Sequence, residues 1–197
     1  PYVRPELLEK ITPIMPANWL VTSGTTPLKM FPKTTHFVSV DGVNAETHDA
    51  VRKSPGLYNR IIKNINRART TWQTFPVYIH TVLNTRNQNQ IREILQVWRN
   101  NGLADGVVFS THTPIRGAGD DRLRLSRLDR IGIIQELNRC RDEFGDFLVN
   151  TGAMIQALHP DLIVRQTPAT CGVARFVPSF DASGQRMKQC ILSEKAD

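Results

Sequence analysis

The stretches that decide the fold are HFVSVDG (residues 36–42), GLYNRIIKNINRART (56–70) and FPVYIHTVLN (75–84). The first is a short alternating apolar run that ends in Ser39, Asp41 and Gly42. The second places Leu57, Ile61, Ile65 and Ala68 on one face of a helix, because apolar residues recur at the helical period. The third is rich in β-branched residues and ends at Asn84. Strand, helix and strand in that order make a βαβ unit, and its two strands are parallel.

The rhythm extends in both directions. NWLVTSG (18–24) is an earlier strand ending in Thr22, Ser23 and Gly24. It is joined to the next by about ten residues around Pro27 and Pro32, a length short of the dozen or more residues a full crossover needs. Downstream, Ile91, Ile94, Leu95 and Trp98 predict a helix over 88–100, closed by Asn101-Gly102. DGVVFSTHTP (105–114) is a fourth strand, carrying Ser110 and His112 at its end. Ser126 is an N-cap candidate for a long helix reaching about residue 143.

The fold class is therefore α/β: about four parallel strands with helices outside, either part of a (βα) TIM-like barrel or an open sheet. The rhythm breaks after 145. LVNTGAMIQALHP (148–160) reads as a further helix, and two short strands flank Asp181-Ala182-Ser183-Gly184. Residues 1–160 are expected to form the partial barrel. Residues 161–197 are expected to form a small helix and hairpin appendage.

With 197 residues and 40% hydrophobic content the chain is long enough to bury a sizeable core. No run approaches the roughly 18 apolar residues that cross a bilayer, and no signal peptide is visible, so a cytoplasmic location is the expectation. The chain starts at Pro1 rather than Met, which reads as a piece of a longer protein. The net charge is +7 and the pI about 9.7. Arg60, Lys63 and Arg67 account for part of this as the solvated face opposite Ile61 and Ile65. Arg122, Arg124, Arg127 and Arg130 are denser and suit an anionic ligand or partner. No stacking aromatics interleave with them, which argues against nucleic acid.

In parallel α/β folds, ligands bind beyond the carboxyl ends of the strands. All four strands here end in polar residues, although loops make strand ends polar in any case. Asp41-Gly42 reads as a turn, since Gly tolerates positive φ. Ser39 lies inside the strand two residues before Asp41, so both side chains are expected on one face, where a hydroxyl and a carboxylate suit a ribose diol. His80 is mid-strand and reads first as a core histidine bonded to a neighbour. His112 suits an acid, a base or an orienting donor. His36, His48 and His159 show no constellation. No nucleophile elbow, phosphate loop or His-Glu metal motif is present, and the two glycines of 114–119 are weak evidence of a phosphate site. Of the cysteines, Cys140 falls on the apolar face of its helix with Ile133, Leu137 and Phe144 and is expected to be a buried thiol. Cys171 and Cys190 remain open as reduced thiols, a disulfide, or two ligands of a metal cluster completed elsewhere.

VSVDGVNAETHDAVRKSPGLYNRIIKNI (38–65) resembles the fourth-strand segment of radical S-adenosylmethionine enzymes. In that family a Ser-x-Asp-Gly strand end precedes a short acidic and His stretch, then Gly, an aromatic residue and an Ile-rich helix. VTSGTTPL (21–28) resembles the preceding strand end, with Ser23 where the family usually has Asn. VYIHTVLNTRNQNQIREIL (77–95) is similar to the fifth strand and its Asn-bearing loop, and VVFSTHTPIRGAG (107–119) to the sixth. The resemblance covers roughly residues 18–120 in order.

The resemblance implies a six-strand partial barrel of which this chain supplies the last four strands. It implies S-adenosylmethionine and a [4Fe–4S] cluster as cofactors, and an electron donor as partner. The implied chemistry is reductive cleavage to a 5′-deoxyadenosyl radical that abstracts hydrogen from a substrate, with the cluster supplying the electron. The cluster loop, Cys-x-x-x-Cys-x-x-Cys, is not in this sequence, and the three cysteines at 140, 171 and 190 do not have its spacing. The chain alone is thus expected to be inactive. The site residues carried over are Thr22 and Ser39 toward the methionine or ribose, Asp41 toward the ribose, His80 and Asn84 on the fifth strand, and Ser110 and His112 near the adenine or substrate. Cys171 and Cys190 resemble the start of segments that hold auxiliary clusters in some members. The competing readings are a non-catalytic barrel-like binding module and an unrelated α/β-barrel lyase or isomerase. No lysine lies mid-strand for a Schiff base. The substrate and the oligomeric state have no sequence signature.

Overall fold

A computed structural model of the chain describes residues 4–113, 121–163, 179–180, 183 and 185–187. Four strands, β1 (Asn18–Thr22), β2 (Thr34–Ser39), β3 (Val77–Leu83) and β4 (Gly106–Thr111), form one sheet in the order β1-β2-β3-β4, parallel throughout. Seven helices are described: α1 (Pro5–Ile11), α2 (Ala45–Arg52), α3 (Leu57–Thr71), α4 (Ile91–Asn101), α5 (Arg127–Phe144), α6 (Gly152–Gln156) and α7 (Pro160–Ile163). Two short strands, β5 (Ser179–Phe180) and β6 (Arg186–Met187), pair antiparallel.

The helical faces read from the sequence are the buried ones. α3 buries Leu57, Ile61, Ile65 and Ala68, and α4 buries Ile91, Ile94, Leu95 and Trp98. α5 buries Ile133, Leu137, Cys140 and Phe144. Burial pushes the Cys140 thiol up to about 12, so it is protonated and inert. These side chains meet Val38, Val40, Ile79, Leu83, Val107 and Phe109 of the sheet in a single core. Ser126 caps α5 by accepting from the Asp129 N–H, and the Asp129 carboxylate accepts from the Ser126 N–H in return. Gly102 closes α4 at φ 65°, the left-handed conformation that glycine adopts without a Cβ penalty.

β1 and β2 are connected without a described helix or strand over 23–33, in line with the short spacing. α2 is the element that the apolar pattern does not announce: His48 is its one buried residue. Its signal is at the cap, where the Asn44 side chain accepts from the Thr47 N–H. The helix expected over 148–160 is shorter, and Leu148 ahead of it bridges in parallel to Val107.

Among the described residues, helices cover one face of the sheet and none covers the other. On the other face, Trp19 is 79% and Val21 54% exposed, and Phe37 stacks on Tyr78 at 5.5 Å. A parallel sheet is normally covered on both faces, so this face is where a ligand or further chain has access to the strands. The glycine-bearing segment 114–119, Cys171 and Cys190 lie outside the described residues, as does most of 161–197.

Candidate functional site

The strand register sorts the expected site residues onto two faces. Ser39 pairs in register with His80, and Val82 with Ser110, so all four share the open face with Phe37 and Tyr78. His80 Nε2 and Ser110 Oγ share a hydrogen bond of 2.9 Å. The Ser39 hydroxyl makes no hydrogen bond to a described residue. Burial lowers the His80 pKa and the Arg52 charge adds to this, against the opposing effect of Asp41. The imidazole is therefore neutral at pH 7.

Thr22 does not join them. It pairs with Val38, which lies in the helix-covered core, and its hydroxyl accepts from the Gly24 N–H at 3.2 Å. The fit there is tight: Gly24 has φ 68°, and a Cβ on it would come within 2.9 Å of Val38. Its carbonyl accepts from the Asn64 amide of α3 at 2.8 Å. This strand end is thus anchored toward the helices, away from Ser39.

Asp41 is also placed differently from the diol-binding expectation. It lies beyond the end of β2 and is only 3% exposed. One carboxylate oxygen accepts from the Val82 N–H at 2.8 Å, and the other is 2.5 Å from Arg52 Nε. The Asp41 N–H donates to His48 Nδ1 at 2.9 Å, and its carbonyl accepts from the Asn87 amide at 3.0 Å. Every polar group of the residue is engaged within the protein. Asp41 ties the end of β2 to β3, to α2 and to the loop after β3.

Gly42 is glycine for a reason other than positive φ. Its φ is not in the left-handed region, but a Cβ there would stand 2.5 Å from the His48 nitrogen. The chain passes so close to the start of α2 that only hydrogen fits. The loop is latched further by Gln90, which accepts from the Val43 N–H at 3.2 Å and donates to Thr47 Oγ1 at 3.0 Å. Tyr58 Oη donates to the Val43 carbonyl at 3.1 Å. Asp49 accepts from the N–H groups of Gly56 and Tyr58, placing a carboxylate at the N-terminus of α3.

Asn84 likewise serves its own loop. Its side chain accepts from the Arg86 N–H and donates to the Val82 carbonyl. Asn87 Oδ1 accepts from the Asn84 N–H, while its amide reaches both Asp41 and Val82. Of the loop asparagines Asn87 and Asn89, Asn87 is the buried one that joins the strands. His112 follows β4; its N–H donates to the Leu83 carbonyl, and its Nε2 is buried without a partner among the described residues. His48 and Arg52 were not distinguished by sequence. His48 and Arg52 sit on a helix whose amphipathic pattern is too short to read.

No family model matches the chain. Over 94 residues it is 33% identical to the AdoMet-dependent heme synthase of Methanosarcina barkeri (strain Fusaro / DSM 804). The match takes in 48% of this chain, which spans about a quarter, 26%, of that protein's length. AdoMet is the cofactor implied by the resemblance to radical S-adenosylmethionine enzymes.

The described residues fit the two implied cofactors unequally. S-adenosylmethionine presents an amine, a carboxylate and a ribose diol, and an open face with an uncommitted hydroxyl at Ser39 and the His80–Ser110 pair offers matching partners. For a cluster, no group of three His, Cys, Asp or Glu side chains is assembled to hold a metal among the described residues. Among those residues no helix is long and apolar enough to cross a membrane.

Proposed function

We propose that this chain is the carboxyl-side part of a radical S-adenosylmethionine enzyme, a partial barrel whose open sheet face holds the cofactor. The observation that carries the proposal is the meeting of Ser39, His80 and Ser110 on the uncovered face at the carboxyl ends of adjacent parallel strands. Ligands of such sheets bind at that end. The partial match to an AdoMet-dependent enzyme supports the same reading.

The residues act by positioning. Ser39 donates to an oxygen of the methionine carboxylate or ribose. His80 orients the Ser110 hydroxyl across one hydrogen bond and is held neutral by burial. A neutral imidazole avoids repulsion with a sulfonium cation, which a protonated one would not. Asp41, Asn87 and Arg52 set the register of the strand ends without touching the cofactor. When bound and reduced by one electron, S-adenosylmethionine would release methionine and supply a 5′-deoxyadenosyl radical for hydrogen abstraction. The cluster ligands lie outside the described residues, and the chain alone is inactive in this reading, with an external electron donor required.

The test is anaerobic reconstitution of the full-length polypeptide that contains this chain, using iron and sulfide, followed by reductant and S-adenosylmethionine. Formation of 5′-deoxyadenosine is the expected result. A reconstituted protein that forms none contradicts the proposal.

A further inference from the structure

The dense arginines around the start of α5 divide sharply once their partners are known. Arg127 is paired with the Asp161 carboxylate through both terminal nitrogens. Elsewhere, Arg92 reaches Glu136 and Glu143, and Arg69 reaches Asp105. Arg130 is different. It is half-buried, and its terminal nitrogens meet only neutral acceptors: Thr111 Oγ1 at 2.9 Å and the His112 carbonyl at 3.4 Å. No carboxylate pairs with it among the described residues. His112, whose carbonyl it reaches, carries the buried ring nitrogen that also has no partner there.

We propose that Arg130, with Arg124 beside it and His112 at the strand end, forms an oxyanion-binding corner for a carboxylate or phosphate group of a ligand. A guanidinium has five donors in a planar fork, and among the described residues two bonds to neutral acceptors are all it makes. The group is half-buried, so solvent carries part of its charge, and a bound anion would supply the counter-charge that no described residue gives. Burial first, and the Arg124 charge second, lower the Arg130 pKa. A bound anion reverses the second effect and offsets the first. Arg124 is exposed and has no ion pair among the described residues, so it is able to close over the same group.

The position suits a ligand group. Arg130 reaches the last residue of β4 and the one after it, at the same strand ends as Ser110. That is the end of a parallel sheet where ligands bind. Thr85 in the loop after β3 donates to the Arg122 carbonyl, fixing the approach to α5 against the neighbouring strand. Thr111 is opposite in strand parity to Ser110, so the corner would take an anionic group at the end of β4 on the α5 side of the sheet. Binding of an anion here needs no cluster, so it stands or falls separately from the cofactor reading.

The test uses amide NMR of this chain, titrated with sodium acetate in one arm and sodium phosphate in the other, each against sodium chloride at equal ionic strength. Saturable shifts at Thr111, His112 and Arg130 are expected in at least one arm, and the responding arm tells carboxylate from phosphate. Arg130→Gln is expected to weaken that affinity about tenfold, and the exposed Arg124→Gln about threefold. Arg127→Gln, whose side chain is held by Asp161, leaves it unchanged. If Arg130→Gln does not fold, Arg130→Lys keeps the charge but loses the fork, and is expected to bind several-fold more weakly. Shifts that match chloride, or equal affinity in the wild type and both the Arg130 and Arg124 variants, overturn the proposal.

Discussion

The Asp41 carboxylate accepts the Val82 N–H at 2.8 Å, where β2 has ended and a backbone carbonyl would otherwise continue the pairing with β3. A side chain thus extends the ladder by one bond. Its other oxygen, 2.5 Å from Arg52, connects the same point to α2. Removing the carboxylate leaves a buried N–H without a partner. Asp41→Ala is expected to cost roughly 2–4 kcal/mol in denaturant unfolding. Asp41→Asn keeps an acceptor for Val82 and costs less. Arg52→Met leaves the carboxylate, whose side chain is 4% exposed, without its counter-charge and is expected to cost about 1–3 kcal/mol, less than a fully buried partner because Arg52 itself is one-third exposed. Equal stability of Asp41→Ala and wild type would refute the structural role.

Gly42 and Gly102 separate two reasons for glycine. A Cβ at Gly42 collides with backbone of α2, whereas at Gly102 it enters open space but must adopt φ 65°. Gly102→Ala is expected to cost about 1 kcal/mol, the usual penalty for a left-handed residue. Gly42→Ala must move backbone and is expected to cost more than about 2 kcal/mol. Thermal unfolding of both variants checks the order, and Gly102→Ala being the worse would contradict it.

How far the sequence reaches is clear from these positions. The four strands and the faces of α3, α4 and α5 are legible because burial imposes a period of two or about 3.6 on apolar residues. α2 is not, since its one buried residue is a histidine and its cap is a single Asn44. Gly42 was legible as a special residue but for the wrong cause, because close approach to α2 depends on tertiary packing. Asp41 looked like a ligand because strand-end carboxylates often are. Its actual partners, Val82 and Arg52, lie at different separations along the chain, which no local pattern encodes. Ser39 was singled out by its place inside the strand and His80 by the family resemblance, and the register places them side by side.

Three histidines make the fold sensitive to acid. Burial lowers the pKa of His36 to about 4, and lowers those of His48 and His80. Each folded pKa is below the unfolded value of 6.5, so the unfolded chain binds more protons in between. Stability is fully present above pH 6.5 and falls as pH drops toward 4, with His36 contributing up to about 3 kcal/mol of the loss. Urea unfolding between pH 7.5 and about 4.5 should show the decline. His36→Phe should flatten part of it, since the ring stacks on Phe75 at 4.4 Å and an aromatic ring preserves that contact. An unchanged slope would contradict the assignment to His36.

The His80–Ser110 hydrogen bond should register in a double-mutant cycle. With His80→Phe, Ser110→Ala and the double variant, a coupling of about 0.5–1.5 kcal/mol is expected in the unfolding free energy. A coupling of zero would mean that the two side chains do not pair in solution.

The most direct measurement of the proposed cofactor face is hydrogen–deuterium exchange on the reconstituted full-length protein, with and without S-adenosylmethionine. Added protection is expected at the carboxyl ends of β2, β3 and β4, in peptides containing Ser39–Gly42, His80–Asn84 and Ser110–Thr113, and none on the outer faces of α3 and α4. Protection absent from all three strand ends, in protein shown to bind the cofactor, would contradict the proposed cofactor face.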